Sequence, residues 1–179
     1  MEELEKALEK LTGEKLRVVA ASRTDTGVHA KGQVISFRTR SSLSTHTFVR
    51  GMNYYLPKDI VVKAAYKVRD SFNVQRHAIS REYQYYILNR PARSPLMRHF
   101  TYIVPEPLDV DAMNEACQRL LGEHDFVSFA SSIGVKARKT VRKVYRAEVK
   151  REGELVVFTI IANSFLPHQV RNTVGALIR

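Results

Sequence analysis

Apolar residues recur at helical spacing in four stretches of this chain, and the segments between them carry the period-two alternation of strands. Leu4, Ala7, Leu8 and Leu11 form one stripe, which predicts a helix over residues 1–11 that Thr12-Gly13 ends. Leu16–Ala21 and Gln33–Arg38 are short strand-like runs, and the long loop between them suits an antiparallel pair with a functional connection. A second helix follows the polar turn Arg38–Ser44, with Thr45 or Thr47 as its N-cap, and Pro57 bars it from passing Tyr55. Ile60–Val68 alternates Ile60, Val62, Ala64, Tyr66 and Val68 and reads as a strand.

After Arg69-Asp70-Ser71 the order begins again. Arg81–Asn89 reads as a strand. Asp109 caps a helix whose stripe is Val110, Met113, Cys117 and Leu120/Leu121, with Gly122 just beyond it. Thr140–Lys150 and Leu155–Asn163 are strands joined by the turn Arg151–Glu154, and a last helix starts near Pro167. The expected fold is α+β: two ferredoxin-like halves, residues 1–70 and 71–179, forming a shared, mainly antiparallel sheet with helices on one face and a basic cleft. No internal sequence repeat accompanies the repeated order.

Composition changes the picture through charge. The 179 residues carry a formal net charge of +11, which points to a polyanionic partner, nucleic acid before an acidic membrane. One cysteine, Cys117, excludes an internal disulfide and a cysteine zinc site and suits a reducing cytoplasm. The six histidines lack ligand-like spacing, so no metal site is expected. The chain has no signal peptide and no apolar run of membrane-spanning length, so no membrane role is expected. Without Trp, base stacking falls to Tyr, Phe, His or Arg.

Candidate chemistry gathers in Ala21–Phe37, A-S-R-T-D-T-G-V-H-A-K-G-Q-V-I-S-F. Asp25 is its only carboxylate, Arg23 stands two residues before it, and Gly27 and Gly32 permit positive φ or close approach to a ligand. A neighbouring cation holds such a carboxylate ionised, ready to act as nucleophile or base. The same residues also fit a local salt bridge in an Asx-type turn. D-T-G is the nucleophile triplet of aspartic proteases, but those need two carboxylates sharing one proton; no second triplet occurs, and the adjacent Arg opposes a shared proton.

R-T-D-T-G-V-H-A followed by G-Q-V resembles the signature loop of the TruA family of tRNA pseudouridine synthases, with Ser22 and Thr26 at positions where the family has Gly and Ala. Three later segments match in the family's order: R-E-Y-Q-Y at Arg81–Tyr85, G-E-H-D-F-V-S-F at Gly122–Phe129, and F-L-P-H-Q-V-R-N-T-V-G-A at Phe165–Ala176. The resemblance implies Asp25 as catalytic nucleophile, Tyr83 stacked on the target uracil, and Arg171 paired with the Asp. Arg23, Thr24, His29, Arg76, His77 and His168 are the candidate substrate and RNA contacts, Arg23 taking the place of the extruded nucleotide. Of Gly122–Phe129 only structural support is expected, from two Phe anchors and Gly and Asp turn chemistry. Lys136, Arg138, Lys139, Arg142, Lys143 and Arg146 are equally a solvated strand face or a phosphate-contacting patch.

The implied reaction is isomerisation of uridine to pseudouridine in the anticodon stem-loop of tRNA, by a homodimer, without cofactor or obligatory metal. Attack at ribose C1′, attack at uracil C6 and proton abstraction all stay open. Against the family pattern the chain starts inside the helix after a first strand and stops before a last helix and strand, so unpaired sheet edges are expected to favour association. The rival reading is a non-catalytic RNA-binding module of ferredoxin-like halves. It accounts for the charge but not for Asp25, which repels phosphate.

Overall fold

A computed structural model describes residues 1–131 and 139–179. The chain divides into two compact units, Met1–Ala78 and Ile79–Arg179, and the turn at Arg69–Ser71 lies within the first. The class is α+β, with four α-helices and mainly antiparallel pairing among the described residues. The described strands form two ladders, one of two strands and one of five, where the sequence suggested one shared sheet.

In the first unit, α1 (Glu2–Thr12) ends at Gly13, whose φ of 74° lets its N–H reach back to Glu9 O. α2 (Thr45–Tyr55) is capped by Ser44, not by Thr45 or Thr47: Ser44 Oγ accepts from Thr47 N at 3.1 Å. Ser44 is the residue still in extended backbone, as an N-cap must be. β1 (Val19–Ala20) and β2 (Ile35–Ser36) pair antiparallel, both shorter than the sequence suggested. Ala7, Leu8, Val18, Phe48, Met52 and Leu56 form the core here.

Ile60–Val68 forms no strand. Alternation alone does not make a ladder; the backbone needs a neighbouring strand, and here a side chain stands in for one. Asn53 of α2 donates from Nδ2 to Val62 O at 2.9 Å and accepts from Val62 N at 2.7 Å. Ile60, Val62 and Ala65 then face the core, while Tyr66 and Val68 are exposed, so the period-two pattern slips after Val62.

The second unit is organised by the ladder β4-β3-β7-β6-β5. β3 (Arg81–Leu88), β7 (Leu155–Ala162) and β6 (Val141–Glu152) lie close to the predicted spans. β4 (Tyr102–Ile103), which pairs parallel with β3, and β5 (Gly122–Asp125), which pairs antiparallel with β6, were not anticipated. β7 is central and nearly buried throughout: Val156, Phe158, Ile160 and Ala162 sit in the core at 0% exposure. Val156, Phe158 and Ile160 each stabilise the fold by about 1.5–3 kcal/mol. On its other face Val157 and Thr159, both buried, line a cavity of about 190 Å³ together with Glu82, Gln84, Arg146, Glu148 and Lys150.

Asp109 caps α3 (Val110–Gln118), accepting from Asp111 N and Ala112 N, as the sequence indicates. α3 also repeats the device of α2. Met113 enters the core as Met52 does, and the Asn that follows each grips an extended segment. Asn114 donates to Val149 O and accepts from Val149 N, both at 2.8 Å, beyond the point where β5 stops pairing with β6. The Cys117 thiol is fully buried, and burial raises its pKa to about 11, which keeps it a protonated core group.

Asn114 is half-buried and Asn53 exposed. Asn114→Ala, which leaves the Val149 N–H and C=O unpaired, is expected to lower unfolding free energy by about 1–3 kcal/mol in denaturant titration. Asn53→Ala is expected to lower it less, because water replaces its bonds.

Candidate active-site elements

Each unit carries some of the candidate site residues. In the first, the β1–β2 pair continues into the loop through Ala21 N donating to Val34 O at 2.9 Å. Gln33 Nε2 then donates to Ser22 O at 2.9 Å and closes the loop's base. At the tip, Val28 N donates to Asp25 O at 3.1 Å, with Gly27 third in the turn at φ 81°. That conformation strains any residue with a Cβ, which explains the Gly. Gly32 has no positive φ, so the freedom the sequence allowed it is not used.

The turn presents Arg23, Thr24, Asp25 and His29 to solvent. Arg23 makes no hydrogen bond or ion pair among the described residues, so the local Arg23–Asp25 salt bridge is absent. An exposed pair of that kind contributes little in any case, and Arg23 is left available to another partner.

Arg76 and His77 stand in a tight turn of the same unit. Asn73 Oδ1 accepts from Gln75 N and Arg76 N, and His77 N donates to Asn73 O at 2.9 Å. His77 Nδ1 accepts from Asn73 N at 3.2 Å and its ring lies 5.5 Å from Phe72, so this histidine holds the turn. The Arg76 side chain is exposed.

In the second unit Tyr83 pairs with Ile160 across the β3–β7 ladder, and its half-buried ring meets Phe165 edge-on at 5.0 Å and 81°. Tyr85 follows on the same face. Burial raises its pKa, and the nearby Arg171 charge partly offsets this, which sets Arg171 within electrostatic reach of that face. Tyr86 turns to the opposite face and donates to Gln84 Oε1 at 2.8 Å.

Arg171 projects from α4 (Gln169–Leu177), whose start is unusually constrained. His168, exposed, has φ 64° and is the only non-glycine residue with positive φ among the described residues. Gln169, 1% exposed, accepts from Leu166 N through Oε1 at 2.8 Å. Asn172 Nδ2 donates to Phe129 O, and Ser131 N donates to Pro167 O. The G-x-x-D-F-x-S-F segment thus anchors the Arg171 helix, with Phe126 in the core and Asp125 accepting from Val127 N. Sequence reasoning missed Gln169, Asn172 and Phe165 as positioning residues. No sequence signal marks them: Asn172 is exposed, Phe165 precedes the helix, and the polarity of Gln169 conceals its burial.

The basic run after Gly122–Phe129 is less free than its composition suggests. Lys136 and Arg138 lie outside the described residues. Arg142 Nη1 donates to Lys139 O and Val141 O, and Arg146 pairs with Glu148 at 2.6 Å. That hydrogen bond holds the Glu148 carboxyl below the usual carboxylate range.

A family model described as tRNA pseudouridine synthase matches residues 1–75 and 116–179. The tRNA pseudouridine synthase A of Buchnera aphidicola subsp. Schizaphis graminum is 45% identical over 177 residues, covering 99% of this chain and 67% of the relative. That of Francisella tularensis subsp. holarctica is 40% identical over 178 residues, covering 99% and 69%.

Gly27→Ala is expected to destabilise the turn by roughly 1–2 kcal/mol, because Ala is strained at positive φ. It should raise proteolytic nicking within residues 21–34 while Gly32→Ala, with open space at its Cβ, leaves cleavage unchanged. Limited proteolysis with mass mapping of the cut sites reads both.

Proposed function

Because the chain belongs to the tRNA pseudouridine synthase family, we propose that it isomerises uridine to pseudouridine in the anticodon stem-loop of tRNA, with Asp25 as nucleophile or base. The observation that carries this reading is an exposed carboxylate at the tip of a glycine-dependent turn in a chain of net charge +11. A loop serving only to bind RNA gains nothing from a carboxylate there, since it repels phosphate.

The target uridine leaves the stack to be reached, and Arg23, without a hydrogen bond or ion pair among the described residues, fills the gap. Asp25 then acts by attack at C1′, by attack at C6, or by taking a proton. In each route the N1–C1′ bond breaks and the C5–C1′ bond forms; a proton leaves C5 and one is gained at N1, so no oxidant or cofactor enters. Tyr83, braced by Phe165, stacks on the detached uracil while it turns. Arg171 keeps Asp25 charged in the closed complex. Thr24, His29, Arg76 and His168 contact the RNA, which is recognised through its shape.

The working form is a homodimer in the cytoplasm. Support for association comes from exposed Val34, Val61, Tyr66 and Val68 on the first unit. No helix among the described residues is long and apolar enough to cross a membrane.

Unmodified tRNA incubated with the protein is expected to acquire pseudouridine in the anticodon stem-loop, read by chemical detection at single positions. Binding without conversion would leave an RNA-binding module. Affinity is expected to fall about 10³-fold between 50 and 200 mM salt, since phosphate contacts release counterions. A flat salt response would remove the electrostatic argument.

A further inference from the structure

At the far end of β3 from Tyr83, residues 90–101 form a loop rich in cations. It contains Arg90, Arg93, Arg98 and His99 and no carboxylate. The loop is well tied. Arg90 bonds Ala92 O and pairs with Glu154 at 2.8 Å, while Met97 O accepts from Phe100 N, Thr101 N and Thr101 Oγ1. Under it lies a pocket of about 390 Å³ lined by Leu88, Arg93, Ser94, Arg98, Thr101 and Ile103 together with Pro95, none of them acidic.

Neither arginine of this pocket has a carboxylate partner among the described residues. Arg93 makes no hydrogen bond or ion pair among the described residues, and the only bond of Arg98 runs from Nε to His99 Nε2 at 2.9 Å. Arg90, Arg142, Arg146, Lys150 and Arg151 all find carboxylate, amide or carbonyl partners. Two guanidinium groups brought to one pocket without a counter-charge repel each other, and an anion there removes that repulsion. Their fork of donors fits phosphate oxygens, and Ser94 adds a hydroxyl. Phe100 at 59% and Leu96 at 90% exposure give apolar surface beside the charge, as on surfaces that hold a ribose or base next to a phosphate.

We propose that the Arg93–Arg98 pocket binds one backbone phosphate of the RNA substrate, remote from the reacting uridine. The proposal rests on the functional reading above for the identity of the polyanion. Tyr83 and Leu88 are five residues apart on one strand, so the pocket stands about 17 Å from the stacking ring. At that distance it anchors the RNA without touching the reacting atoms.

The test compares the wild-type protein with the double variant Arg93→Gln/Arg98→Gln, its Lys/Lys counterpart, and Arg90→Gln as a control of equal charge type. All are checked first for unchanged Tm. Affinity for unmodified tRNA is measured across salt concentrations, and kcat and KM where the wild type converts uridine. The Gln/Gln variant should lose about one unit of the slope of log affinity against log salt and raise KM with kcat retained. Lys/Lys should restore the slope, and Arg90→Gln should leave it at the wild-type value. An unchanged slope in Gln/Gln, or an equal loss in Arg90→Gln, overturns the site. A change of oligomeric state with tRNA binding intact would make it a protein interface, and a phosphate-dependent Tm rise with an unchanged tRNA slope would make it a free-phosphate site; either overturns the proposal. A wild-type protein that binds tRNA but converts none refutes the catalytic reading alone, because the slope comparison is still read.

Discussion

The register of β3 against β7 is the constraint on which the second unit depends. β7 buries Val156, Phe158, Ile160 and Ala162 completely, so a slip by one residue would turn that whole set to the opposite face. With β7 fixed, Tyr83 must stand opposite Ile160 and Tyr85 opposite Phe158, on the side that carries the core. The same ladder directs the chain out of the sheet. Asn163 accepts from Arg81, Lys143 and Ser164 at the end of β7, and the turn it fixes delivers Phe165 to the edge of Tyr83 and then starts α4. Tyr83, Phe165 and Arg171 therefore owe their placement to burial on one central strand.

A second device serves both units. A helix places a Met in the core and uses the next residue, an Asn, to satisfy the N–H and C=O of an extended segment. In the first unit this substitutes for a strand neighbour at Val62, and in the second it extends the sheet edge at Val149. In both units the device is written as the dipeptide Met-Asn, Met52-Asn53 and Met113-Asn114.

Helices and long strands were legible because burial imposes a period on them. α1, α2, α3, β3, β6 and β7 all fall near their expected spans. The misses have local causes. Ile60–Val68 has the alternation of a strand but no strand beside it. β4 has two residues, too few for any period, and β5 is G-E-H-D, exposed and charged, held only by pairing with β6. Ser44 lost the expected cap to its neighbours on paper because all three residues are hydroxylic, and only backbone conformation separates them. The loop around Asp25 was legible through its motif, since exposed turn residues carry no burial signal. The charge of Gly122–Asp125 and the polarity of Gln169 gave no hint that these segments hold the Arg171 helix.

The proposed function rests on an exposed carboxylate, Asp25, in a chain whose net charge of +11 suits a polyanion. Neutralising it separates chemistry from binding, because Asn has nearly the shape of Asp and cannot act as a carboxylate. The direct measurement is pseudouridine formed per folded molecule, beside tRNA affinity, for the active protein and its Asp25→Asn variant. The account predicts that isomerisation is abolished while affinity holds or rises slightly, as one repulsive charge is removed from the RNA surface. Appreciable turnover by the variant would contradict it.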